Sequence, residues 1–462
     1  MRNAFILAVD VGAGSLRGGL VRANGRVAAT AVVPLTTSEP RPGWAEVDPE
    51  CWWDALLAAI ARLLRNVPRS ARILGICICG LTRTQVLLDD RKRVVGPAIL
   101  FRDRRAAALV PELGIPGLTA FDASARLAWI ARHQPARFAR IDCVVEPKDF
   151  LNFRLTGVLA GDTVTHSRQP ATGPIVRGNL VSPWHAVGVV TSTVKALARI
   201  AGVPVFAGSM DTWASAVGSG AVSAGHAYDV AGTSEVVGLV CARRCAAPGL
   251  LSLQWTDDAY QIGGPTQAGA DCAQWGHAAF GVRGRLGHAI ERVGSVTQRT
   301  EPPLFLPYLA GERAPVWRSD VRGAFHLVGR HSTSDDFFWA VLEGVAMAVR
   351  DILELAKTAS GVRVTQLFVC GGGARSDAWC RLKADVTGLQ VVRSRETETG
   401  VIGAAIAAAV GSGLHPSVRE AAAHMVALGR RFEPRARFAS RSDTRFAQYR
   451  QIKQAALALR ES

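Results

Sequence analysis

Short apolar runs that stop at glycine set the rhythm of this chain. Ile6-Leu-Ala-Val9 closes on Asp10 and the turn Gly12-Ala-Gly-Ser15; further apolar stretches follow to Val21 and to Pro34, separated by Asn24-Gly25. Runs of this length, bounded by glycine turns and Asn-Gly, predict three strands over 5–10, 15–21 and 26–34. The pattern returns near mid-chain, where Tyr228-Asp-Val-Ala-Gly-Thr-Ser234 leads into Val236–Val240. Two more apolar runs end in glycine turns, Val205-Phe-Ala-Gly-Ser-Met-Asp211 and Leu367-Phe-Val-Cys-Gly-Gly-Gly-Ala374. Helices fill the intervals. One starts with Asp48 as N-cap and Pro49 in its first turn, and one with Ser334 as cap. A third, over 401–410, is rich in small residues and suited to close packing, and an amphipathic helix ends the chain. The repeated hairpin implies two related α/β domains. The glycine-rich stretch 218–225 suits the boundary between them, giving domains 1–222 and 223–462.

Composition narrows the class. With 48% hydrophobic and 20% charged residues in 462, the chain is a folded globular protein. No apolar run approaches the ~18 residues of a membrane helix, and the run ending at Asp10 is too short for a signal-peptide core. No membrane partner and a cytoplasmic location are therefore expected. The nine cysteines follow neither a zinc spacing nor a disulfide framework and read as buried thiols. A net charge of +16 rests on 54 basic residues, of which six are lysines, scattered rather than gathered into one stripe. That argues against nucleic acid as a partner, which calls for a clustered basic face with stacking aromatics.

Four glycine turns carry the candidate chemistry. Glycine lets the backbone approach a phosphate, and successive N–H groups then cradle the anion. Asp10 and Asp211 place carboxylates beside two of these turns. Phosphate cradles with carboxylates point to nucleotide, Mg²⁺ and phosphoryl transfer. Each aspartate also has a structural alternative: Asp10 as a turn residue bonding its own loop, and Asp211 as the cap of a helix beginning Thr212-Trp213.

The order of motifs resembles the FGGY family of carbohydrate kinases, in the actin-like ATPase superfamily. The motifs are Gly43–Trp53, Pro97–Arg105, Lys148–Gly157, Gly208–Asp211, Tyr308–Pro315 and Gly371–Trp379. The likeness runs from about residue 5 to about residue 455, with spacing most like the xylulokinase branch. It implies two actin-like (ribonuclease H-like) domains with a nucleotide cleft between them. It also implies ATP-dependent phosphorylation of a hydroxyl on a small sugar, a ketopentose such as xylulose before all. Erythritol, ribulose or a glycerol-type acceptor is the alternative, or a non-catalytic sugar and ATP sensor. ATP and Mg²⁺ are the implied cofactors, and a homodimer is compatible with the family.

On the same basis Asp211 is the general base, and Asp10 holds Mg²⁺. Gly12, Gly14 and Ser15 form the first phosphate loop, with Arg17 reaching the transferred phosphoryl group. Gly232, Thr233 and Ser234 form the second loop, and Gly371, Gly372, Gly373 and Ala374 the adenosine-side turn. Thr82, Arg83, Asp103 and Asp211 fall at sugar-binding positions. Trp44 and Glu46 suit a loop over the site, Trp379 suits the core, and Asp385 is read as structural. Three departures from the family pattern stand out. Ala13 replaces a threonine whose hydroxyl would face phosphate. Thr82-Arg83 matches neither the Met-His nor the Arg-Glu pair of relatives, and Arg83 could meet a carboxylate, several hydroxyls or solvent. The segment 170–203 is shorter than usual.

Overall fold

The computed structural model describes residues 3–115, 118–166, 179–295 and 302–459; residues 170–178 of the short segment lie outside them. Two compact units emerge, Met1–Ala214 with Gly400–Met425, and Ser215–Thr399 with Val426–Ser462. The single boundary expected after residue 222 is thus replaced by a discontinuous division. The reason lies in the small-residue helix Thr399–Gly411, whose glycines meet first-unit backbone and side chains too closely for any Cβ. A Cβ on Gly403 would fall 1.9 Å from the Ala214 carbonyl oxygen, and one on Gly411 2.2 Å from that of Trp184.

The first unit is built on a six-stranded sheet. Ala4–Val11, Ser15–Val21 and Val27–Pro34 form the expected antiparallel meander. On the other side of Ala4–Val11 lie Arg72–Gly80 and Pro204–Phe206, both parallel, and then Ala186–Val189, antiparallel. Ala4–Val11 is buried almost throughout, as expected of a central strand in a sheet covered on both faces. The helix Pro49–Arg65 contributes Trp52, Leu56, Ile60 and Leu63 to the same core. Its start follows the sequence: Asp48 accepts a hydrogen bond from the Glu50 N–H at 3.0 Å.

The second unit repeats the plan in seven strands. His226–Ala231, Glu235–Cys241 and Tyr260–Pro265 form the meander; Gln366–Cys370 and Gln390–Ser394 follow in parallel, and Leu428–Phe432 closes that edge antiparallel. Leu251–Gln254 extends the opposite edge. Both units therefore share an antiparallel meander followed by two parallel strands, and the hairpin repeat read from sequence is a repeat of whole sheets. The 27-residue helix Ser334–Ser360 runs through this unit's cores. Its cap is Thr333 rather than Ser334: the Thr333 hydroxyl and the Asp336 carboxylate each accept the other's N–H, a capping box. All nine cysteines are free thiols, and only Cys51 is exposed. Among the described residues no helix is long and apolar enough to cross a membrane.

Candidate active site

Three parallel neighbours in the first sheet, Ala4–Val11, Arg72–Gly80 and Pro204–Phe206, end side by side. Val11 pairs with Gly80, and Gly80 is bridged to Met210. Asp10, Thr82-Arg83 and Asp211 therefore leave the carboxyl edge of adjacent strands, where open α/β sheets gather their ligands.

The first loop is the turn of the leading hairpin. The Gly12 N–H donates to the Ser15 carbonyl at 3.0 Å, and the space around Gly14 is open. Ala13 packs against the unit's apolar core. Strand register sets Asp10 directly across from Arg17, which places the two side chains on one face of the sheet. Asp10 is 9% exposed, and Gly400 lies against it: a Cβ there would sit 2.3 Å from Asp10 Oδ2. Glycine at 400 is thus what lets the helix Thr399–Gly411 start directly against this carboxylate. Sequence reasoning missed Gly400, because nothing local links it to Asp10.

Asp211 opens the helix Asp211–Ser219. Its Oδ1 accepts from the Thr212 N–H at 2.7 Å and from the Thr212 hydroxyl at 3.3 Å. Oδ2 has no hydrogen-bond partner among the described residues. Burial pushes this carboxyl up to about 6, against the opposing pull of the Thr212 hydrogen bonds. A group with that acid strength can accept a proton near neutral pH. Helix start and base are compatible, since each uses a different oxygen.

The turn before Asp211 is pinned. Gly208 has a φ of 66°, and a Cβ there would lie 1.9 Å from the Ile78 carbonyl oxygen, so glycine is required. Ser209 is fully buried and donates to Asp162 Oδ1 at 2.9 Å. Asp162 in turn faces Lys148 Nζ at 2.8 Å, Lys148 also binds Asp149, and Asp149 Oδ2 lies 3.0 Å from His166 Nε2. Asp149, Asp162 and His166 have the spacing of metal ligands, with their ligand atoms within 4.8 Å of one another. The Lys148 ammonium already bridges the two carboxylates, and Asp149 makes the His166 imidazole more basic than usual despite its burial, so the fold itself supplies cationic partners to both.

The sugar-side residues divide. The Arg83 N–H donates to Glu146 Oε1 at 2.9 Å and the Thr84 N–H to Oε2 at 3.0 Å. Burial pushes the Glu146 carboxyl up to about 7. Thr82 and Arg83 thus sit on a tethered turn. Asp103 does not behave as expected of a substrate ligand. It is fully buried and accepts from the Ala45 N–H (2.7 Å), the Arg105 N–H (3.0 Å), Arg105 Nε (2.9 Å) and Arg105 Nη2 (2.8 Å). Both its oxygens are engaged within the protein, so its effect passes through Arg105. That guanidinium bonds Glu46 at 2.7 Å and lies 3.9 Å from the Trp44 ring centroid. Trp44 and Glu46 are therefore loop anchors, as read from sequence.

In the second unit, the Gly232 N–H donates to the Ser234 carbonyl at 3.1 Å, repeating the Gly12–Ser15 closure. The Gly232 and Thr233 carbonyls accept from the Ala270 and Asp271 N–H groups, and the Ser234 hydroxyl accepts from Arg313 Nη2 at 2.9 Å. Arg313, in the stretch Tyr308–Pro315, was visible only as part of a motif. Gly371 has a φ of 87°, and a Cβ there would lie 2.6 Å from the Ala231 carbonyl oxygen; one on Gly373 would lie 2.9 Å from Ala231 Cβ. The Gly371–Ala374 turn thus abuts the start of the Gly232–Ser234 turn. A pocket of about 270 Å³ opens beside them, lined by Gly371, Ala374, Arg375, Arg393, Arg395 and Thr397 among others. Trp379 is buried, with its indole N–H on the Leu342 carbonyl at 3.2 Å, and Asp385 binds Arg435; both are structural.

Residues 5–172 match the N-terminal domain model, and residues 227–412 the C-terminal domain model, of the FGGY family of carbohydrate kinases. Xylulose kinase of Escherichia coli is 30% identical over 83% of this chain and 85% of its own. L-xylulose/3-keto-L-gulonate kinase of the same organism is 30% identical over 90% of each chain. The crystal structure of xylulose kinase from Rhodospirillum rubrum superposes with a TM-score of 0.87 at 26% identity, covering 98% of both chains.

Proposed function

The chain belongs to the FGGY family of carbohydrate kinases and is an ATP-dependent sugar kinase; from that premise we propose that its acceptor is a small ketose of the xylulose type and that Asp211 is the general base. Asp211 takes the proton of the attacking hydroxyl as oxygen bonds to the γ-phosphorus and the bond to ADP breaks. Arg17 supplies directional charge to the transferred group. Gly12, Gly14 and Ser15 cradle the phosphate being transferred. Gly232, Thr233 and Ser234 cradle the rest of the chain, and Gly371–Ala374 with their pocket take the adenosine. Asp10 would hold Mg²⁺, which offsets phosphate charge when bound. The observation that supports this reading most is that Asp10, paired in register with Arg17, and Asp211 leave the same carboxyl edge of the first sheet, on strands flanking Arg72–Gly80.

ADP release from Mg-ATP across xylulose, ribulose, erythritol, ribitol and glycerol tests it. One acceptor should stand out, and Asp211→Asn should keep ATP binding while losing turnover by about 10²-fold or more. Near-normal turnover in that variant would sink the assignment. Ala13 favours one competing reading, a non-catalytic sensor. ATP binding with no sugar-dependent ADP release would decide for it.

A further inference from the structure

Arg83 is set up for a ligand that the protein itself does not supply. Its φ is 56°, a left-handed backbone that a non-glycine residue holds only when its surroundings impose it. Two buried side chains do so from both sides. Glu146 takes the Arg83 and Thr84 N–H groups, and Arg126 donates to the Arg83 carbonyl. The half-buried Arg83 guanidinium makes no hydrogen bond, ion pair or ring contact with any described residue.

Arg126 beneath it is fully buried and has no carboxylate in contact. Its donors reach only neutral oxygens: Gln85 Oε1 at 2.9 Å, the Phe101 and Phe121 carbonyls at 3.4 Å, and the Arg83 carbonyl. Nearby carboxylates are committed elsewhere. Asp103 is held by Arg105, Asp122 by the Thr119 N–H and hydroxyl, and Glu146 by the turn itself. The buried Arg126 thus feels Asp103, Glu146 and Asp122 only at a distance, and among the described residues no anion contacts it or the half-buried Arg83 guanidinium, whose backbone it holds. A planar fork of this kind fits a carboxylate through two parallel hydrogen bonds, whereas a hydroxyl satisfies only part of it.

The geometry points to a carboxylate subsite at Arg83, so that among acceptors of the xylulose-type backbone one carrying a terminal carboxylate is preferred over its neutral counterpart. The inference rests on the preceding reading, in which the acceptor sits at the carboxyl edge shared by Thr82-Arg83 and Asp211.

Matched acceptors differing only in a terminal carboxylate or hydroxymethyl test it: D-xylonate against xylitol, and 2-keto-D-gluconate against D-fructose. Binding to the full chain is measured by calorimetry without ATP, and ADP release by kinetics. The acid should bind at least about tenfold more tightly than its partner, the ratio expected of a hydrogen bond to a charged group. Arg83→Gln should remove that ratio, and Arg83→Lys should restore part of it. Equal or weaker binding of both acids, or an equal loss for acid and neutral partner in Arg83→Gln, overturns the subsite. Acid binding through Arg83 with no Asp211-dependent ADP release from any acceptor leaves the subsite standing and overturns the catalytic reading instead.

Discussion

Asp211→Asn should do more than stop turnover: it should stabilise the ligand-free protein at alkaline pH. Asparagine keeps the shape of the side chain and an Oδ1 that accepts the Thr212 N–H, now at 2.7 Å. What it removes is a charge in a place that resists charge. The carboxyl is raised from 3.8 to about 6, chiefly by burial. About two pKa units at ~1.4 kcal/mol each disfavour the ionised form by about 3 kcal/mol. Asp211 keeps some exposure and sits at a helix N-terminus, and both ease the charge, so about 1–2 kcal/mol is the realistic size.

The sign follows from the direction of the shift. Below the unfolded value of 3.8 the proton is bound in both states and no penalty exists. As pH rises through the native value near 6 the group ionises within the fold, and stability is lost. The variant escapes this. It should melt a few degrees above wild type at pH 8, with the gap reduced by about half at pH 5. Thermal unfolding of both proteins at the two pH values, without ligands, measures it. Equal stability at pH 8, or a gap that does not narrow at pH 5, would refute the claim that Asp211 is held in an anion-disfavouring site. In the wild type, kcat/KM should rise with pH through about 6 and then level, because the base must be unprotonated.

Other consequences are equally direct. Gly400→Ala forces a methyl to 2.3 Å from Asp10 Oδ2, so the carboxylate must move; turnover should fall about tenfold or more with a raised Mg²⁺ requirement, read by titrating Mg²⁺ at fixed ATP. Lys148→Met leaves Asp149 and Asp162 facing each other in a buried site. Removing one member of a buried pair costs about 3–5 kcal/mol, visible as a lowered thermal midpoint. Gly371→Val is blocked twice, by a φ of 87° and by the Ala231 carbonyl oxygen 2.6 Å from the new Cβ. It should weaken ATP binding in a calorimetric titration while leaving sugar binding in place.

The parts of this molecule legible in the sequence are those encoded by neighbours in the chain. Continuous apolar runs and glycine turns placed both hairpins, and a Pro after an Asp placed the helix Pro49–Arg65. The carboxylates Asp10 and Asp211 stood out because a single residue type closed an apolar run. What stayed hidden depends on contacts between distant residues. Gly400 reaches Asp10 from the far end of the chain, and the first unit is completed by the segment Gly400–Met425. Asp103 looked like a ligand because a motif placed it there, but its carboxylate is filled by Arg105, two residues away, and the Ala45 backbone. The pinning of the Asp211 turn runs through Ser209, Asp162 and Lys148, which no local pattern connects.

The repeated hairpin shows how one local design serves two purposes. In the first unit its aspartate, Asp10, stands across from Arg17 and is packed closely by Gly400. In the second, the corresponding Asp229 stands across from Val237 and is bound, with Glu235, by the buried Lys383. Burial raises both carboxyls, Glu235 to about 8, yet the ammonium between them offsets their charge from within the fold. A divalent cation at Asp229 would have to displace that lysine within a fully buried site, leaving an uncompensated buried charge at large cost. Only the backbone cradle survives in the second copy, closed by the same glycine-to-serine hydrogen bond as the first. The repeat thus separates the two tasks a phosphate turn can perform. In the proposed mechanism the copy whose aspartate faces a cross-strand arginine meets the developing charge, whereas the copy whose aspartate is bound by its own lysine offers only its backbone to phosphate.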